Sequence, residues 1–276
     1  MNLYSSTATK PHTTADTMIF YYLGNGSLNV KNLILQTEEL WATPVNILEL
    51  LSDINSGNWV NRKNAARAIL DYAVIAPDPN EHFESLVKGC KPVMTDIYKK
   101  LCTALAESAS LAYLKETIDI VSSAKEKQKY YGNFESKIIS ICDRFIPCYA
   151  KKIRRGKKPP VMMKEQQKNF WQVASSQSLL EIYIDDMLKA EEKKRAIQFF
   201  SDYIGIYRGY IMRLLTEQLK PHINDWGDLE LFKYLQPGST VATAEERWRK
   251  IAEKAGIALK VRWVKPKNQS AIYNAI

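Results

Sequence analysis

The densest acidic constellation in this chain is Asp225, Asp228 and Glu230 in the stretch Asn-Asp-Trp-Gly-Asp-Leu-Glu, with Asp185 and Asp186 in the helix-like segment before it. Nucleases and glycosidases need two or three carboxylates converging on a metal or on the bond to be broken. The spacing points to a plainer use, because Asp225 and Asp228 suit the capping of a short helix. Pro77-Asp78 with Glu135-Ser136-Lys137 echoes a restriction-nuclease signature. Those pieces belong on strands, and here they lie in helical context.

Other chemistries find less. His12, His82 and His222 are each isolated in sequence, and no HExxH, CxxC or Cys/His set at ligand spacing occurs. Asn25 between two glycines lacks the third glycine and the preceding strand of a dinucleotide fingerprint, and no GxxxxGK[ST] run exists. Cys142 and Cys148, six residues apart on one expected helix, fall on opposite sides of it. They read with Cys90 and Cys102 as reduced core thiols. The expectation is a non-enzymatic chain with no catalytic residue, no metal and no cofactor.

Charge is more informative. Thirty-nine basic and thirty acidic residues leave a net charge of +9 in 276 residues, which favours an anionic partner. The excess is confined to two segments: residues 87–176 carry +10 and 242–276 carry +5, while 1–86 and 177–241 are net negative at −4 and −2. The first centres on Lys151, Lys152, Arg154, Arg155, Lys157 and Lys158, closed by Pro159-Pro160, with Lys125, Lys127, Lys129 and Lys137 upstream and Lys164 and Lys168 downstream. Cations this dense repel one another unless water or an anion screens them, so the segment is expected as an exposed loop. Lys260, Arg262, Lys265 and Lys267 define the second.

These cations must be positioned by helices. The fold class read from periodicity is mainly α: two helical lobes joined by a basic loop, with a small C-terminal α+β module of a helix plus a β-hairpin. The divisions are an N-terminal arm over 1–26 with an apolar tip at Met18–Leu23, a helical lobe over 27–150, a basic Pro-ended linker over 151–163, a long helical pair over 164–224, and the basic module over 225–276.

Ser27 caps an expected helix carrying Leu28, Leu33, Ile34 and Leu40, and Thr43-Pro44 opens the next. Further helices are expected at 58–75, 92–107, 109–130, 134–150, 164–190, 191–219 and 244–255, then strands at 257–264 and 271–276. Tyr203, Tyr207 and Tyr210 at helical spacing read as core rather than as a stacking platform. No run of eighteen apolar residues is free of charge, and the N-terminus lacks a signal-peptide build, so a cytoplasmic or otherwise intracellular protein without membrane contact is expected.

The function this favours is phosphate-backbone binding to RNA or DNA through Lys151, Lys152, Arg154, Arg155, Lys157, Lys158, Lys164, Lys168, Lys260, Arg262, Lys265 and Lys267. Tyr130, Tyr131, Tyr149, Phe170, Trp171 and Trp263 stand near enough in sequence to stack on unpaired bases. Self-association through the N-terminal arm would suit a protein that coats RNA or single-stranded DNA, the general plan of RNA-virus nucleoproteins. The competing readings are a helical assembly protein whose charge only keeps it dissolved, and a metal-dependent nuclease built on Asp225–Glu230.

Overall fold

A computed structural model of the chain describes residues 11–35, 38–92, 96–173 and 189–265. Helix dominates, as expected, yet the centre is a sheet of five short parallel strands: β1 His12–Ala15, β2 Glu39–Ala42, β3 Val74–Ile75, β4 Thr240–Thr243 and β5 Val261–Trp263. Their order is β3-β2-β1-β4-β5. Thr14 lies opposite both Trp41 of β2 and Val241 of β4, so β1 is the middle strand.

Helix α1 (Thr17–Gly24) links β1 to β2, and α2 (Pro44–Leu51) and α3 (Trp59–Tyr72) link β2 to β3. Residues 76–239 then leave the sheet through α4 (Pro79–Lys88), α5 (Ile97–Glu107), α6 (Leu111–Thr117), α7 (Ile120–Phe145), α8 (Tyr149–Arg154), α9 (Lys164–Val173), α10 (Ala190–Glu217) and α11 (Ile223–Leu231). They return to β4 on the other side of β1, and α12 (Glu246–Lys254) leads on to β5. Winding therefore reverses between β1 and β4. In open parallel sheets that reversal opens a crevice at the carboxyl ends of the strands.

Two apolar clusters cover the sheet. Ala242 joins Ile19, Phe20, Leu50, Ile69 and Leu105 on one face, whereas its neighbour Val241 joins Tyr210, Trp248, Ile251 and the α7 residues Ile138 and Ile141 on the other. Successive strand residues point to opposite faces, so one dipeptide feeds both cores.

The described part of the expected N-terminal arm is built into the sheet. Residues 11–26 form the middle strand and a buried helix, and Ile19, Phe20, Tyr22 and Leu23 are covered within the chain; residues 1–10 lie outside the described residues. The helix expected from Ser27 is instead a single 3-10 turn, Val30–Asn32, followed by β2. Strands of a buried parallel sheet are apolar on both faces and show no alternation, so Leu40-Trp41-Ala42 carried no period of two. Thr43-Pro44 does open α2, with a reciprocal Thr43–Asn46 capping box.

Gly132-Asn133 does not divide α7, which runs from Ile120 to Phe145, and the break falls after it. A mid-helix glycine costs about 1 kcal/mol, which a packed 26-residue helix absorbs. At the C-terminal end Ala258–Lys260 is a 3-10 turn, and β5 pairs in parallel with β4. The α12–β5 unit is thus the edge of the common sheet rather than a separate hairpin module; the expected return strand 271–276 lies outside the described residues. Among the described residues no helix is long and apolar enough to cross a membrane.

Candidate nucleic-acid interface and a carboxylate cluster at the sheet edge

The first basic segment is half helix. Tyr149 is buried and donates its hydroxyl hydrogen to the Leu219 carbonyl at 2.7 Å, which fixes α8 to the end of α10. Asp143 of α7 accepts from the Ala150 N–H at 2.9 Å. The helix closes in a Schellman turn: the Lys157 N–H reaches the Lys152 carbonyl at 3.0 Å, the Gly156 N–H reaches Ile153 at 2.9 Å, and Gly156 has φ +65°. That left-handed position is the one where glycine has no Cβ penalty. Lys151, Lys152 and Arg154 occupy the last turn of α8, where carbonyls left without intrahelical partners favour positive charge. The prediction of a plain loop is corrected accordingly: a helix end lowers the mutual repulsion of its cations.

Beyond Gly156 the chain is pinned rather than slack. Gln218 donates to the Pro159 carbonyl at 2.9 Å, and the Met162 N–H donates to the Leu215 carbonyl at 2.9 Å, with Met162 buried. Lys151, Lys152, Arg154, Arg155, Lys157, Lys158, Lys164 and Lys168 are all exposed. None has a carboxylate partner among the described residues. Arg144 and Arg154 flank a neighbouring cleft of about 380 Å³ between α7 and α8.

The second basic segment is used internally. Lys260 pairs with Asp202 of α10. Arg262 bonds Glu38 at 3.0 Å and also the Leu33 carbonyl. Burial pushes the Glu38 carboxyl up, but the Leu35 N–H and Arg262 more than offset this and hold it below the usual range. Lys265 is exposed and lies 5.1 Å from the Trp263 ring centre, and Lys267 lies outside the described residues. Sequence proximity grouped Lys260 and Arg262 with free cations; their partners are 58 and 224 residues away.

The proposed stacking aromatics fare similarly. Tyr149 and Phe170 are buried, Trp263 is partly covered, and the side chains of Tyr130, Tyr131 and Trp171 lie outside those described. Cys102 and Cys142 are buried thiols, pushed by burial up to about 12, but Cys90 and Cys148 are exposed, which corrects their assignment to the core.

The acidic segment is also divided. Glu230 turns away to Lys233 in a buried pair at 2.7 Å. Asp225 caps α11 and accepts from the Tyr210 hydroxyl at 2.8 Å. Asp228 accepts from Arg247 and from the Trp248 indole, each at 2.8 Å. Arg247 also bonds Asp225 and Glu245.

Gly227 lets α11 come close to α2, since a Cβ there would stand 2.5 Å from Glu49 Oε1 and 3.3 Å from Val45. Asp228 is thereby brought into electrostatic reach of Glu49, Glu245 and Asp16, four carboxylates from separate parts of the chain. Burial, then repulsion from Glu245, Glu49 and Asp16, raises the proton affinity of Asp228 well above the usual value against the pull of Arg247.

Asp16 stands where β1 ends. It accepts from the Ile19 N–H at 3.1 Å and from the Ala244 N–H at 2.7 Å, so it ties the β1 and β4 ends together across the winding reversal. Burial outweighs these bonds and raises its pKa to about 6. Asn46 donates to the Ala15 carbonyl and to the Thr17 hydroxyl, which in turn donates to Glu49.

Asp16, Glu49 and Glu245 were missed in the sequence because they lie up to 229 residues apart and no short motif joins them. The available signal was Asp16 as an N-cap just ahead of the apolar run Met18–Leu23. Among the described residues no three Asp, Glu, His or Cys side chains stand at the spacing of a metal-ligand set, and Arg247 supplies the counter-charge.

At the opposite end of the strands, His12 stacks on Trp41 at 3.7 Å and His82 on Tyr234 at 4.7 Å. Gln236 contacts His82 Nε2 at 2.5 Å, and burial depresses the His82 pKa to about 3. The two histidines, isolated in sequence, belong to one buried aromatic cluster.

Compared with family models, with curated proteins and with solved structures, the chain matches none.

Proposed function

We propose that this protein binds nucleic acid along the phosphate backbone, through the end of α8, its closing turn and the first turns of α9. The observation that carries the reading is the set of eight exposed cations, Lys151 to Lys168, without carboxylate partners among the described residues and mounted on a segment pinned to α10. Backbone attraction needs placed cations and no base-reading group, since each phosphate contact releases condensed counterions.

The test is oligonucleotide binding across a salt series with the variant Lys151→Gln/Lys152→Gln/Arg154→Gln/Arg155→Gln. Affinity should fall for every sequence alike, and the slope of log affinity against log salt should flatten by about three to four. An unchanged slope assigns the charge to solubility and leaves the helical body to protein contacts.

A second reading is favoured by one observation, the four carboxylates gathered at the winding reversal of the sheet. Ligands of open parallel sheets bind there, and groups with displaced proton affinity cluster at working sites. In this reading Arg247 leaves the cluster, the carboxylates of Asp16, Glu49, Asp228 and Glu245, which do not stand at metal-ligand spacing while it is in place, close on a divalent cation, and the protein hydrolyses phosphodiesters. Cleavage of a labelled oligonucleotide that requires Mg²⁺ or Mn²⁺ and disappears in Asp228→Ala supports it. Cleavage that persists in that variant, or none with either ion, overturns it.

A further inference from the structure

We propose that the groove between α5 and α6 is a nucleobase site, which takes one nucleotide of a single strand with its base on Tyr113 and its phosphate on Lys99 or Lys100. The inference rests on the nucleic-acid reading and adds to it a preference for unpaired strands. The groove encloses about 620 Å³, within the usual range for a small-ligand cleft. Its walls carry three kinds of chemistry: the Tyr113 ring, the ammonium groups of Lys99 and Lys100, and the acceptors Thr103, Glu107 and Thr117.

Tyr113 is unlike the other tyrosines of the cores. It is 56 % exposed, whereas Tyr149, Tyr210 and Tyr234 are each at 1 % or less. An aromatic face left in a cleft beside cations is the arrangement that stacks bases without regard to sequence.

Lys99 and Lys100 are exposed, and neither has a carboxylate partner among the described residues. Asp96 and Glu107 line the same cleft, so its net charge is near zero. That balance suits a ligand with an anionic phosphate at one end and N–H donors on a base at the other. A bare polyanion would meet no such match.

The cleft is also preformed. Ser110 caps α6 by accepting from the Tyr113 N–H at 3.1 Å, and Thr117 donates to the Tyr113 carbonyl at 2.8 Å. Arg67 of α3 donates to the Ala106 carbonyl at 3.0 Å, and Lys63 bonds the Ser108 carbonyl, so the turn between α5 and α6 is clamped from below. These bonds fix the backbone that carries Tyr113, so the walls of the cleft need little rearrangement on binding.

The experiment is fluorescence anisotropy with the full chain and two probes of one sequence, a labelled single-stranded oligonucleotide and its duplex. Tyr113→Ala should weaken single-strand binding by about tenfold and leave the duplex unchanged, given the usual worth of one stacked base. Tyr113→Phe should bind like the parent, since only the ring face is used. Lys99→Gln/Lys100→Gln should lower the single-strand salt slope by about one to two.

Equal single-strand affinity in Tyr113→Ala, at unchanged melting temperature, overturns the groove while the α8–α9 face stands. If the parent binds neither probe in dilute buffer, both readings fall. If the quadruple variant of α8 keeps its affinity while Tyr113→Ala loses it, the groove stands and the α8–α9 face does not.

Discussion

Two stretches of this chain are basic in sequence and differ in what their cations touch. Along α8 and the start of α9, eight cations face water with no carboxylate partner among the described residues. Around α12 and β5, Arg247, Lys260 and Arg262 are each bonded to acids or carbonyls of their own chain. The difference lies in where each segment sits. The cations of α8 and its strap project to solvent away from α7 and α10, whereas those of the edge strand and its crossover helix lie against α10, α11 and the β2 approach and meet acids there. A count of charges therefore gives the potential for anion binding, and only the partners decide which cations remain available for it. Internal cations should report on stability when removed, and external ones on affinity and its salt dependence.

The largest test of that division is Arg247→Gln. It leaves Asp225 and Asp228, with side-chain exposures of 6 % and 17 %, facing each other without counter-charge. Breaking a buried pair on one side costs about 3–5 kcal/mol, so thermal melting should fall by roughly ten degrees for a chain of this size. If melting shifts by only a degree or two, the α12 cations belong with the free set. The comparison would then collapse. Should the second functional reading hold, Mn²⁺ should recover part of the lost stability in this variant, by binding where the guanidinium was.

Acid titration comes next in size, because buried charge couples folding to protons while exposed charge barely does. Asp16 is raised to about 6 in the folded chain from 3.8, so its stabilising proton is fully bound below about 4 and is lost as pH rises through 6, worth about 3 kcal/mol. Asp228, also raised, acts with the same sign. His82 has the opposite sign: depressed to about 3, it favours the folded chain above 6.5 and costs stability as pH falls below that.

Between pH 4 and 6 the two effects oppose. Relative to the parent, chemical denaturation of Asp16→Asn should show stability shifted toward falling with acid through this window, and His82→Gln should show it shifted toward rising. Parallel pH curves for both variants and the parent would show that neither group is coupled to folding.

Arg262→Gln is expected to be milder, about 2 kcal/mol, since its own side chain is 30 % exposed while Glu38 is 7 % exposed. Loss of the guanidinium also removes one of the bonds that keep Glu38 below its usual pKa. The penalty should therefore shrink as pH drops and Glu38 protonates. Guanidinium chloride midpoints at neutral pH and near pH 4 read this directly. A penalty equal at both pH values would mean that Arg262 acts through packing on Leu33 and not through the ion pair.

How far the sequence could be read follows the same line between local and distant partners. Thr43-Pro44, the buried face of α10 and the end of α12 near residue 255 are local signals, and each matches the structure. Exposure of the Lys151–Lys158 run was legible too, because dense like charge is its own argument. β1 and β2 were not. His12-Thr-Thr-Ala15 is four residues long and buried on both faces, so it offers no alternation, and its neighbours Leu40 and Val241 lie 27 and 227 positions from Thr13 and Thr14. The carboxylate cluster was hidden for the same reason. Asp225 and Asp228 stood out by adjacency, but Asp16, Glu49 and Glu245 join them only once the sheet winds both ways from β1. The groove aromatic Tyr113 carries no periodic mark that separates it from core tyrosines such as Tyr203 and Tyr207.

The smallest predicted effect discriminates most sharply between the two basic regions. Lys260 pairs with Asp202 with side-chain exposures of 35 % and 16 %, a contact near the surface that water and salt weaken. Lys260→Gln should therefore cost under about 1 kcal/mol. Because its ammonium already has a partner, oligonucleotide affinity and the salt slope should match the parent, whereas Lys157→Gln should leave melting unaltered and lower the slope by about one. The pair of variants removes the same charge from the same residue type, and only the presence of an internal carboxylate differs. If Lys260→Gln flattens the slope as much as Lys157→Gln does, Asp202 is a weaker partner than phosphate, and the edge of the sheet must be counted as part of the interface.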